Sequence, residues 1–134
     1  MKMAAGLAMA LSLLAPPAMA LEPLARDTHV NATLRAGMAA DMIRKGCPTI
    51  DARMLTALMK LEQLKSHALG KGHDRAEITA FIESRTEKKR LQSEAAQWLK
   101  DRGSARGDAN SLCSIGRSEI ADKTLIGSLL KERP

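Results

Sequence analysis

The stretch Ile43-Arg44-Lys45-Gly46-Cys47-Pro48-Thr49-Ile50 decides how the chain divides into elements. Pro48 holds the residue before it in extended geometry, so a helix entering this stretch ends by Gly46. Arg44 and Lys45 would then complement the helix dipole in the last turn. Upstream, Val30, Leu34, Met38 and Met42 recur at four-residue steps, which predicts a first helix over Leu24 to Lys45. Downstream, Thr49 has the chemistry of an N-cap and Asp51 suits a first turn. A second helix is therefore expected over Ile50 to Leu69. Its apolar stripe is Ile50, Met54, Leu55, Leu58, Leu61, Leu64 and Ala68, and Gly70 and Gly72 are its stop signals.

Further along, Asp74 and Glu77 stand at capping-box spacing ahead of Ile78, Phe81 and Ile82. The apolar face then fails, because Arg85, Lys88, Lys89 and Gln92 fall on its angular continuation. It resumes with Leu91, Ala95, Trp98 and Leu99. Neither Gly nor Pro interrupts Arg75 to Arg102, which favours one continuous helix with a solvated middle. The alternative is a break near Ser84, which makes a second capping box with Glu87. Gly103 to Asn110 reads as a surface loop. A last helical segment runs from Ser111 towards Lys131, weakened by Gly116 and Gly127, with a kink or split near Asp122. No segment carries a strand or hairpin signal.

Cys47 and Cys113 are the only cysteines. They stand outside any Cys-x-x-Cys pair, and in an oxidising compartment only one pairing is open to them. A disulfide closing a loop of this length would stabilise the fold by about 4 kcal/mol in the chain-entropy model. The expected fold class is thus all-α: a small irregular bundle of about four helices closed by one disulfide.

The N-terminus points to export. Lys2 supplies a positive charge, Ala4 to Ala15 is an apolar run, and Pro16-Pro17 breaks it. Ala18-Met19-Ala20 then puts small residues where a signal peptidase reads them. Residues 1–20 are expected to be a cleavable signal peptide and residues 21–134 a single helical domain, periplasmic or secreted. The apolar run falls short of the ~20 residues a spanning helix needs, so no transmembrane segment is expected after cleavage.

The motifs Ile43-Arg44-Lys45-Gly46-Cys47-Pro48, Ala52-Arg53-Met54, Lys60-Leu61, Cys113 with Gly116-Arg117-Ser118-Glu119-Ile120-Ala121, and Ile126-Gly127-Ser128-Leu129-Leu130 occur in this order. Together they resemble the small exported bacterial proteins of domain-of-unknown-function family 5333. The resemblance covers nearly all of residues 21–134. It implies an exported helical protein with paired cysteines and supplies no catalytic residues.

The 21 basic residues outnumber the 15 acidic ones even after Lys2 is lost, which favours anionic partners. Phe81 and Trp98 are the only aromatics, so nucleic acid, which needs a stacking platform, is not an expected partner. Met38 and Met42, one helical turn apart, are weak candidates for Cu(I). His67, His73, Asp74 and Glu77 imitate a zinc set, but the intervening glycines leave its geometry open. Ser114, Ser118 and Ser128 lack the setting of a nucleophile, and His29 is isolated. No cofactor and no enzyme activity are expected. Lys88, Lys89 and Arg90 form a basic cluster suited to an acidic protein patch or lipid head groups, balanced by Glu83, Glu87 and Glu94. The expected function is a non-enzymatic envelope protein that binds another envelope protein through a helical surface around residues 78–99. A small acid-activated periplasmic chaperone and a Cu(I) carrier are the alternatives.

Overall fold

Asp27 adopts extended backbone geometry and its carboxylate accepts a hydrogen bond from the Val30 amide at 3.0 Å, so it caps helix α1 (Thr28–Gly46). The expected start at Leu24 is instead a short 3₁₀ turn, Leu24–Arg26. The computed structural model describes residues 21–105 and 108–134. The expected signal peptide, residues 1–20, lies outside the described residues. After α1 the chain continues through β1 (Ile50–Ala52), α2 (Met54–Gly70), α3 (Arg75–Glu83) and α4 (Arg85–Asp101). It ends with α5 (Ala109–Ala121), α6 (Leu125–Ser128) and β2 (Leu130–Glu132).

The expected four-helix, all-α bundle is therefore corrected. The described chain has six helices, a two-stranded antiparallel ribbon and one disulfide. The ribbon pairs Ile50 with Glu132, Asp51 with Lys131 and Ala52 with Leu130. Ile50 to Ala52 were expected to open the second helix under a Thr49 cap. They pair with the chain's far end instead, and Arg53 extends the attachment by donating its amide to the Leu129 carbonyl at 2.8 Å. Thr49 is exposed, and α2 begins only at Met54.

The third segment is also corrected. It breaks at Ser84, whose extended backbone ends α3 and whose hydroxyl accepts from the Glu87 amide at 3.3 Å to cap α4. The break solves a phase problem. Ile78, Phe81 and Ile82 face one cluster, Ala95 and Leu99 another, and an unbroken helix would carry Arg85 and Lys88 along the first line. The last segment splits near Asp122, as the sequence allowed.

Two apolar clusters form. The larger joins Ala36, Ala39, Ala40 and Ile43 of α1 to Ala95 and Leu99 of α4 and to α5, α6 and the ribbon. The Cys47–Cys113 disulfide lies within it and ties the end of α1 to α5 across 66 residues. Gly116, read from sequence as a weak point, has a packing role. A side chain there would collide with Ile43 and Ile50, so its absence lets α5 seat against both. The smaller cluster gathers Leu24, Val30, Leu64, Ala68 and Ile78, with Leu34, Leu61, Phe81 and Ile82 partly buried against it.

Candidate functional site

Helix α2 has apolar residues on more of its circumference than the fold encloses. Leu64 and Ala68 are its buried residues, and Ala57 and Leu61 are half-buried against the clusters. Those inward contacts set the rotation of the helix. Met54, Leu55, Leu58 and Met59 consequently point outward over its first two turns, 63, 80, 56 and 59% exposed. The expected single stripe thus splits, with Leu61, Leu64 and Ala68 inside and Met54, Leu55 and Leu58 outside. The next turns are polar: Lys65 pairs with Glu62 at 3.0 Å, and Gln63 and Ser66 are exposed. Contiguous exposed apolar patches on the order of a few hundred Å² mark interaction surfaces.

A groove runs beside this face, between α1 and α2. One recess of about 230 Å³ is walled by Leu34, Met38, Leu61, Leu64 and Leu125 and bordered by Lys60. A second, of about 190 Å³, lies against Ala40, Ala52 and Met54 and is bordered by Asp41 and Arg44. Gly37, Ala57 and Leu129 line both, so the recesses adjoin. Arg44 and Lys45 share Asp41, at 2.5 and 2.7 Å, while Lys60 makes no ion pair among the described residues.

At the opposite end of α2, Asp27 is buried. Its carboxylate accepts from His67 Nε2 at 3.0 Å and faces Lys71 Nζ at 3.3 Å, in addition to the Val30 amide. Burial pushes the Asp27 carboxyl up, but the Val30 amide, His67 and Lys71 outweigh it and hold it well below the usual carboxylate range. His29 stacks obliquely on His67, ring centroids 4.5 Å apart. This corner fastens the C-terminal end of α2 to the start of α1, and it leaves the outward face of α2 untouched.

A third feature is a cleft of about 280 Å³ between α1, α4 and α6, lined by Arg35, Trp98, Arg102, Glu119 and Thr124. Arg102 lies over the Trp98 ring at 3.7 Å and 3.8 Å from the Glu119 carboxylate. Glu119 also accepts a hydrogen bond from the Thr124 hydroxyl, and Thr124 in turn accepts from the Gly127 amide to cap α6. These contacts turn the chain from α5 into α6, so the carboxylate has a structural use.

The residues singled out from sequence are dispersed. Lys88 and Lys89 are exposed on α4. Arg90 is held by Glu87 at 2.7 Å, Glu94 at 3.0 Å and the Asn31 side chain at 2.6 Å, so it joins α4 to α1. Its guanidinium is stabilised in the charged form chiefly by Glu87. Met38 and Met42 are half-buried against the larger cluster. His73 bonds Glu77 at 2.8 Å while His67 bonds Asp27, so the zinc-like set is not assembled. Among the described residues no group of three His, Cys, Asp or Glu is placed to hold a metal. Ser114 and Ser118 are exposed on α5, and Ser128 donates to the Leu125 carbonyl at 2.6 Å. No described helix is long and apolar enough to cross a membrane.

The outward face of α2 escaped the sequence reading. A signal was present: Met54, Leu55, Ala57, Leu58, Met59 and Leu61 cover too wide an arc for a helix packed on one side.

Comparison with known proteins places the chain once. A family model described as a family of unknown function, DUF5333, matches residues 22–131, which span every element above except the last residue of β2. Searches of curated proteins and of solved structures return no match.

Proposed function

The chain belongs to the DUF5333 family, and from that premise we propose that it is a non-enzymatic exported protein of the bacterial envelope that docks another envelope protein through α2. One observation carries the reading: Met54, Leu55, Leu58 and Met59 stand together in solvent on a helix whose other side is packed. Exposing four large apolar side chains costs solubility, and an apolar patch of this kind is a recognition surface. The thioethers of Met54 and Met59 suit it, because flexible methionines adapt to a partner's relief. The site proposed from sequence, around residues 78–99, moves to α2, because Ile78, Leu91, Ala95 and Leu99 are buried.

The test is crosslinked capture from the cell envelope with the wild type and a Leu55→Asp/Leu58→Asp variant. A partner retained by wild type and lost from the variant, with unchanged circular dichroism, supports the reading. A partner retained by the variant but lost on charge reversal of Lys88 and Lys89 would move the site to α4.

A second reading, a small acid-activated periplasmic chaperone, is favoured by Asp27. Its ionised carboxylate joins α1 to the C-terminal end of α2, so strong acid would loosen the helix whose first two turns carry the Met and Leu face. Client protein left to aggregate at pH 2–3 in its presence would end this reading.

A further inference from the structure

We infer that the groove centred on Gly37 receives an acidic amphipathic helix of the partner protein, with its backbone close to Gly37 and its apolar side chains in the two recesses. This rests on the docking reading above and adds the partner's chemistry.

Gly37 is the starting observation. It lies inside α1, where glycine is the poorest helix former after proline. At two other helical glycines the fold gives the reason. A side chain at Gly116 would strike Ile43 and Ile50, and one at Gly127 would strike the backbone of Glu119. At Gly37 an added Cβ meets no atom within 4 Å, and its backbone is not in the left-handed region. Neither packing nor conformation within the described chain asks for glycine there. What glycine does supply is room for another backbone to come close from outside.

The surroundings fit such a visitor. The groove lies where the two apolar clusters fail to meet. Leu34, Leu61 and Leu64 on one side belong to the smaller cluster, and Met38, Leu125 and Leu129 on the other belong to the larger. Gly37 and Ala57 form a low neck between the recesses, which suits two apolar anchors of one helix laid across it. Met54 lines the outer recess, so the groove continues onto the exposed face of α2.

Charge selects the occupant. Lys60 borders one recess without an ion-pair partner among the described residues; at the other, Arg44 and Lys45 share the single carboxylate of Asp41, which leaves one positive charge in excess. Arg53 adjoins Met54, and residues 21–134 carry 20 basic against 15 acidic residues. Carboxylates on the visiting helix would meet these cations. A second copy would offer its own α2, flanked by Arg53 and Lys60, and bring like charge to like. A lipid surface takes a convex apolar ridge, whereas separate recesses take separate side chains.

The experiment titrates the disulfide-bonded protein against two fluorescently labelled helical peptides with the same leucine face, one flanked by Glu and the other by Lys. Fluorescence anisotropy is expected to show at least tenfold tighter binding of the Glu peptide. Gly37→Phe should weaken that binding at least tenfold, with unchanged circular dichroism and a thermal midpoint no lower than wild type. Gly37→Ala should weaken it less, and Lys60→Glu should shift the preference towards the Lys peptide. Equal binding by wild type and Gly37→Phe, absence of a charge preference, binding to anionic phospholipid vesicles in place of peptide, or a dimer dissolved by Gly37→Phe would each overturn the inference. If Leu55→Asp/Leu58→Asp abolishes envelope capture while Gly37→Phe leaves capture and peptide binding intact, the docking reading stands and the groove inference falls. If neither variant affects capture, the docking reading itself falls.

Discussion

Around the Cys47–Cys113 disulfide, Ile43, Ile50 and Leu130 are almost completely enclosed, and α1, α5, α6 and the ribbon interlock there. Helix α2 is 17 residues long and buries Leu64 and Ala68, while four of its large apolar side chains face water. Both regions are rich in apolar residues, so composition does not distinguish them. What distinguishes them is enclosure. In the disulfide region, apolar residues meet partners on every side, and glycines are placed where neighbours demand their small size. On α2, and at the adjoining Gly37, apolar surface and empty space stand ready without a partner within the described chain. The first region holds the fold, and the second remains exposed.

Mutation should separate the two sharply. The largest effect is expected from the double substitution Cys47→Ala/Cys113→Ala, which should cost about 4 kcal/mol in denaturant unfolding. Ile43→Ala, which empties the centre of the same region, should cost about 3 kcal/mol. The contrast would break if either change proved harmless.

The Asp27 corner sharpens the comparison, because it fastens α2 electrostatically. Its folded-state carboxyl is held below the unfolded value of about 3.9, so it contributes stability that is present above that pH and lost as pH falls through and below it. Asp27→Asn should therefore cost about 1–2 kcal/mol at neutral pH, a range that allows for the partial exposure of His67 and Lys71. The difference from wild type should shrink in acid, as unfolding curves at pH 7 and pH 3 would check. A constant difference would show that the corner is held by shape alone.

The smallest effect is expected on the outer face of α2. Leu55→Gln/Leu58→Gln should change stability by less than about 0.5 kcal/mol, since neither side chain is enclosed. Gly37→Ala should stabilise by about 0.5–1 kcal/mol, because alanine favours the helix and meets no neighbour. Equilibrium denaturation reads both, and a loss of several kcal/mol in either would mean that α2 belongs to the core.

Local signals were legible in the sequence and non-local ones were not. The Cys47–Cys113 pair, the helical periodicity and the Asp74 cap follow from neighbouring residues or from counting. Ser84 carried a true cap signal, outweighed in the reading by the absence of Gly and Pro; the phase of the two apolar faces decides in its favour. The ribbon left no trace, because three residues are too few to show alternation and Ile50–Ala52 is extended only through pairing with Leu130–Glu132. The Asp27–His67 bond spans 40 residues, and the rotation of α2 is set by Leu24, Val30 and Ile78 on other elements. Which apolar residues of α2 face solvent depends on that rotation: the width of the apolar arc was legible in sequence, and the outward set Met54, Leu55, Leu58 and Met59 only in the folded chain.

The most direct measurement of the division between fold and recognition surface is in-cell photocrosslinking from a single photoreactive residue, placed in turn at Leu55 and at Lys89. Both positions are exposed, so either can accept the probe without disturbing the fold. A discrete protein adduct from position 55 and none from position 89 is the predicted result. The same adduct from position 89 alone, or no adduct from position 55 in cells that express the protein normally, would contradict the assignment of α2 as the docking face.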